Sequence, residues 1–285
     1  MQLALTALAG RITLLGVERI VVKQLGLSGD SLSATFLFFA LGALPLLPFA
    51  VAFDAVSLAA IPIACLSSLF YAVAFVCYVT ALRLGEASLV SPLYNFNIFF
   101  LALMAGVFLG EPFTASKLLA LVLLVYGASF LNRQHTIWAS LSALLKDRAC
   151  QVMIAGSMLI AVGRVIDTAA MHTASPLGYA FVLYTCISLY LWLCILWRGE
   201  WGNVVRLLQN APTLSVLSGA INGFSYLFLL IALTRIEVSI AEPVSMLGMV
   251  VTLLLARWLL HEPIRERLIG VAIMLAAAWL LLGLA

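Results

Sequence analysis

Glu86-Ala87-Ser88-Leu89-Val90-Ser91-Pro92-Leu93 opens an apolar run that closes on Gly110-Glu111-Pro112. The same order returns as Glu237-Val238-Ser239-Ile240-Ala241-Glu242-Pro243-Val244, closing on His261-Glu262-Pro263. Glu86 and Glu237, Pro92 and Pro243, Glu111 and Glu262, and Pro112 and Pro263 are all 151 positions apart, without a gap. Thr80-Ala81-Leu82 answers Ile231-Ala232-Leu233 at that spacing too, so the chain is internally duplicated.

Composition says what was duplicated. Hydrophobic residues make up 65% of the 285 residues and charged residues 9%, against about 25% charged in a soluble domain. A soluble core of this size cannot hide so much apolar surface, so lipid is the solvent for most side chains. The net charge of +3 comes with no basic run of the kind that grips nucleic acid. Cys65, Cys77, Cys150, Cys186 and Cys194 are odd in number and lack ligand spacing, so neither a disulfide framework nor a metal site is expected. Ala7-Leu8-Ala9 has the form of a signal-peptidase site, but no basic stretch precedes it and the apolar lead is short. The segment reads as the first membrane helix.

A span takes roughly 20 apolar residues. Ten segments qualify: 2–25, 32–53, 58–82, 87–110, 115–131, 151–173, 176–197, 212–233, 237–260 and 264–284. The expected fold is an all-α integral membrane protein of ten transmembrane helices. Residues 1–131 form a first five-helix repeat, 132–150 a linker, and 151–285 a second five-helix repeat. Trp138, Leu141, Leu144 and Leu145 in the linker are spaced for a small interfacial helix. Trp201, Val204, Val205 and Leu208, opposite Arg198 and Arg206, predict another. Five is odd, so the second repeat enters the membrane inverted, as in many secondary transporters whose site lies between the halves. The first helix of each half aligns in two ways, Gly10-Arg11 on Gly163-Arg164, or Glu18 on Asp167 with Lys23 on His172.

In these features the chain resembles the drug/metabolite transporter superfamily, in particular the ten-helix EamA-type carriers. The resemblance rests on two halves of this length, a proline in each fourth helix (Pro92, Pro243), and an acidic residue with proline closing it (Glu111-Pro112, Glu262-Pro263). It covers residues 1–284 and implies transport of small metabolites. Such carriers export amino acids, exchange sugar phosphates or nucleotide-sugars, or move lipid-linked sugars. The first helix departs from the family in carrying more charge.

Ionisable residues within a span cost about 2.5–3.5 kcal/mol each at the helix centre, so they face a cavity or a partner. Arg11, Glu18, Arg19 and Lys23 lie in the first helix, Arg164 and Asp167 in the sixth. One reading is a polar cavity, with arginine taking a carboxylate or phosphate and an acid taking an amine. The other is mutual neutralisation that locks the two helices together, to which the Arg164–Asp167 spacing leans; Glu18 and Arg19 lean towards the cavity. Tyr94, Asn95 and Asn97 follow Pro92, and Ser245 follows Pro243, where a missing backbone donor opens the ladder one turn back, near Ser88 and Ser239. Asn95 is the leading single candidate there, with interhelical hydrogen bonding as its alternative. Tyr71 and Asn222, paired by the repeat, complete the expected substrate-binding set of Glu18, Arg19, Asn95, Tyr94, Arg11, Arg164, Asp167, Tyr71, Asn222 and Ser245. Glu242 is a candidate proton site, and His172 reads as a polar anchor whose titration range suits proton coupling. Glu111 and Glu262 read as caps for the N-terminus of the helix that follows each. Gly106/Gly110 and Gly219/Gly223 are small-residue pairs for close helix packing.

No P-loop pattern occurs, and neither a His-Glu-x-x-His nor a Gly-x-Ser-x-Gly motif. The expectation is therefore no enzyme and no cofactor, but a secondary carrier, an exporter of a small polar or zwitterionic metabolite such as an amino acid, with proton coupling as an option. A flippase for a lipid-linked sugar is the alternative, and an intramembrane enzyme a weaker one. Expected partners are the small-molecule solute and membrane lipids, with no nucleic acid, in a monomer or weak homodimer in a bacterial or archaeal inner membrane. Nine Lys and Arg residues in or beside odd loops against two in even loops place the odd loops in the cytoplasm and both termini outside. The resemblance implies both termini inside.

Overall fold

A computed structural model of the protein describes residues 2–53, 56–108, 115–170, 175–233 and 244–282. Pro243, Glu111, Glu242 and His172 lie outside them. The described chain is helical throughout, without strands. In the first half α1 runs Gln2–Ser28, α2 Ser31–Ala43, α3 Leu47–Ala52, α4 Ile61–Leu84, α5 Ala87–Leu93, α6 Phe96–Phe108 and α7 Ala115–Ser129. The linker holds α8, Ile137–Lys146. In the second half α9 is Arg148–Ala170, α10 Pro176–Trp197, α11 Trp201–Asn210, α12 Pro212–Leu233, α13 Gly248–Leu260 and α14 Arg265–Leu282.

Among the described residues, four stretches are long and apolar enough to cross a bilayer, Ser31–Ala52, Leu58–Leu84, Arg148–Asp167 and Leu177–Trp197; shorter apolar helices accompany them. Some of the expected spans bend or break. The expected second span bends at Leu44–Leu46, because Pro45 and Pro48 each lack a backbone donor. The expected fourth span, 87–110, is broken at Tyr94-Asn95 into α5 and α6, and the ninth breaks at Met246-Leu247 before α13.

Packing is reciprocal. α1 lies along α12 as α9 lies along α4, α12 also packs on α2 as α4 packs on α10, and α13 crosses α1 as α6 crosses α9. α7 pairs with α14, and α2 with α10. The Gly219/Gly223 pair sets one of these contacts. A Cβ at Gly219 would come 2.3 Å from the Leu41 Cβ, and one at Gly223 2.6 Å from the Gly42 carbonyl oxygen. Only glycine lets α12 approach α2 this closely.

Both surface helices form. Thr136 caps α8, its hydroxyl accepting from the Ala139 N–H at 3.1 Å, and Trp138 and Leu145 are exposed while Leu144 is buried. α11 divides its apolar residues between the protein and the outside. Val204 and Leu207 are buried and Trp201 meets the Phe36 ring edge-on, whereas Val205 and Leu208 remain exposed. Packing on α2 claims the Val204/Leu207 side, leaving the neighbouring apolar side chains for lipid.

Candidate functional site

The two broken helices build the site. Past Pro92 the ladder tightens to i→i+3 bonds: Tyr94 N–H to Ser91 O at 3.2 Å, Asn95 N–H to Pro92 O at 3.1 Å, Asn97 N–H to Tyr94 O at 3.2 Å and Ile98 N–H to Asn95 O at 3.1 Å. The second half does the same, with Leu247 N–H to Val244 O at 3.1 Å and Met249 N–H to Met246 O at 2.9 Å. Proline removes an α-helical bond and the chain recovers with a tighter turn. The tightened turn follows Pro92, while the α-helical bond that proline cannot give is the one to the Ser88 carbonyl one turn before it.

A cavity of about 50 Å³ lies where these breaks meet. Tyr94, Asn95, Asn97 and Ile98 line it from the first break, Ser245 and Met246 from the second. Arg11, Leu15 and Arg19 of α1 and Arg164 of α9 complete the wall. Arg19 is 4% exposed, its guanidinium stands 5.6 Å over the Tyr94 ring, and one terminal nitrogen, Nη1, is buried without a hydrogen-bond partner. Arg11 donates from Nη1 to Ser225 Oγ at 2.6 Å, while its Nε is buried and unpartnered. Asn95 donates to Pro92 O at 3.3 Å and to the Met249 sulfur, so its amide ties one break to α13 across the halves. The carbonyl oxygen of buried Asn97 has no partner.

Four of the expected residues stand outside this lining. Glu18 is buried and accepts from the Tyr78 hydroxyl at 3.3 Å. Among the described residues no ion pair within 4 Å joins it to Arg11 or Arg19. Asp167 accepts from the Tyr71 hydroxyl at 2.6 Å and from the Tyr179 hydroxyl. Asn222 accepts from Tyr184 at 2.7 Å and donates to Phe38 O at 3.2 Å, binding α12 to α10 and α2. The phenols of Tyr78, Tyr71 and Tyr179 therefore occupy the two carboxylates, and the arginines meet the cavity.

At the end of the bundle where α1 stops and α5 starts, a second polar cluster closes the halves together. Glu262 accepts from the backbone N–H groups of Ala87 at 3.0 Å and Ser88 at 2.8 Å, from Ser88 Oγ at 2.6 Å and from Lys23 Nζ at 2.9 Å. Lys23 also donates to Gly85 O at 2.8 Å. Arg267 bonds Ser88 Oγ, pairs with Glu86 and donates from Nε to Leu131 O at 3.2 Å. Glu262 does cap a helix, though not the one that follows it: it caps α5, in the other half. His261 explains this, since its left-handed backbone (φ 55°) ends α13 and turns Glu262 inward to 6% exposure. Burial raises the Glu262 carboxyl, but the hydrogen bonds from Ser88 and Lys23 outweigh it and hold the group below its ordinary range.

Sequence reading missed Leu15, Ile98 and Met246 in the wall and Tyr179 behind it. Apolar wall residues carry no signal, and Tyr179 is one of many aromatics. The cross-half cluster did have one: Lys23, Arg267, Glu86 and Glu262 are charges bordering apolar runs, two of each sign.

A family model described as the EamA-like transporter family matches the chain twice, over residues 3–133 and 148–283. No curated protein matches it. A solved structure titled "Crystal structure of protein" superposes with a TM-score of 0.54 at 16% identity, covering 97% of this chain and 95% of its own, a likeness of fold.

Proposed function

We propose, since this chain belongs to the EamA-like transporter family, that it is a secondary carrier exporting a small polar metabolite across a bacterial or archaeal cell membrane by alternating access. The observation that carries the reading is the cavity at the meeting of two helix breaks, lined by buried Arg19 and part-buried Arg11 on α1 and by part-buried Arg164 on α9. Transport needs a site reached from each side in turn, which two halves related by an in-plane axis provide. The reciprocal helix pairing and the two successive family matches support that inverted arrangement of ten spans. The Lys23–Glu262–Ser88–Arg267 cluster is then the closed gate at one end, and opening that end must break it.

The test is counterflow in proteoliposomes without ATP, using radiolabelled amino acids, amines and sugar phosphates. Accumulation of one class is the expected result. Movement of a fluorescent polyprenyl-linked sugar, with none of the soluble solutes, would replace the carrier reading with a flippase.

A further inference from the structure

The cavity wall is asymmetric in a way that selects its occupant, and the argument here rests on the carrier reading above. Buried guanidinium nitrogens are seldom left unpaired, because desolvating a charge is costly unless a partner replaces water. Arg19 Nη1 and Arg11 Nε are both left so, on the same helix, two turns and a residue apart, beside one cavity. The natural partners are absent for a structural reason: Glu18, the residue beside Arg19, is bonded to Tyr78 instead. Tyr94 holds the Arg19 guanidinium by its ring face, which fixes the fork without using its donors. Across the cavity, the Asn97 oxygen is an acceptor equally without a donor.

We propose that the solute is a small organic anion whose carboxylate or phosphate lodges against Arg19 and Arg11, and whose hydroxyl or amine proton is accepted by Asn97. Planar guanidinium donors match the oxygens of either group. A cation would be repelled by both arginines, and a neutral polyol could accept from their N–H groups but would bring no charge to offset theirs.

The experiment reads the cavity's electrostatics without knowledge of the native solute. In a background with all five cysteines replaced, Ile98→Cys and, independently, Ser245→Cys place a thiol in the wall. Each is treated with an anionic (sulfonatoethyl) and a cationic (trimethylammonioethyl) methanethiosulfonate, with rates normalised to a free thiol. The anionic reagent should react about tenfold faster, the enrichment expected of a cleft lined by one sign of charge, and Arg19→Gln with Arg11→Gln should erase the bias. Glycerate and glycerol 3-phosphate should slow the reaction where glycerol and 3-amino-1,2-propanediol do not, and whichever anion protects better separates carboxylate from phosphate. A faster cationic reagent, protection by the amine, or protection by neither anion overturns the anion assignment and leaves counterflow to judge the carrier. Failure of both reagents at both positions shows a cavity closed to water and sinks the two readings together.

Discussion

Arg19 and Glu18 are sequence neighbours with divided roles, one in the cavity wall and one behind it, because adjacent helical residues point about 100° apart. A guanidinium bond to a charged solute is worth about 1.5–3 kcal/mol, so Arg19→Gln should lower solute affinity roughly 10- to 100-fold with membrane insertion unchanged, measured as KM in counterflow. Glu18→Ala should also lower transport, by releasing the Tyr78 hydroxyl that positions the α1 wall. At the far cluster, Glu262→Ala leaves Lys23 buried without its carboxylate and α5 without its cap. Breaking such a pair costs about 3–5 kcal/mol, and the loss should appear as a lowered Tm in detergent. The pH dependence follows from the direction of the Glu262 shift. A carboxyl held below its ordinary range contributes stability that is complete above the unfolded-state value, near 4.5, and is lost as pH falls through the lower folded-state value. The wild-type midpoint should therefore fall more steeply with acidification in that window than that of Glu262→Gln, which has no charge there to lose. The charged residues of α1 and α9 were legible as candidates from cost alone. Which of them face the cavity was not, since that depends on which tyrosines reach Glu18 and Asp167 from other helices.

At the scale of single elements, the breaks shape the cavity. Pro92→Ala restores the missing donor and should let α5 and α6 join into one regular helix. Tyr94, Asn95 and Asn97 would then rotate out of register with the cavity, so transport should fall while thermal stability holds or rises. Loss of stability together with activity would assign Pro92 to packing instead. Gly223→Leu tests the opposite kind of element. Its side chain would drive α12 off α2 at Gly42 and Pro45, giving a folding defect visible as reduced monodisperse yield. The prolines mark both breaks in the sequence, yet their position could not be read there. A proline states which bond is missing, and the neighbours decide on which side the turn tightens. Likewise Glu262 was legible as a cap, and its target was not, because sequence proximity favours the next helix while His261 turns the side chain away from it. The first copy of the motif has Gly110 in the place of His261, the residue best suited to a left-handed backbone.

For the molecule as a whole, composition and duplication at a fixed spacing pointed to an all-helical membrane protein of the EamA-like kind, and the described residues are helical and the family model matches twice. The pairing α1 with α12 and α9 with α4 goes beyond this, since apolar periodicity in lipid-facing helices does not say which neighbour each face meets. An experimental structure should superpose residues 1–131 on 151–285 by rotation about an axis in the membrane plane. An axis along the membrane normal would contradict the inverted arrangement. Two of the nine odd-loop basic residues, Lys23 and Arg267, are drawn into the closing cluster with 12% and 13% of their side chains exposed. Seven then remain against two, which still predicts cytoplasmic odd loops, and labelling of cysteines placed at positions 135 and 200 in intact cells should find them shielded from an impermeant reagent.

The cap that Glu262 supplies to α5 also sets a schedule for biosynthesis. Ala87 and Ser88 leave the ribosome 175 and 174 residues before the side chain that will satisfy their N–H groups, an interval of roughly 9–35 s at about 5–20 residues per second. Through that time the nascent first half holds an uncapped helix start beside an unneutralised Lys23. The N-terminal bundle is therefore an unfinished intermediate until the last hairpin inserts, and arrest of translation before residue 262 should leave it prone to degradation in a way that arrest some tens of residues later does not.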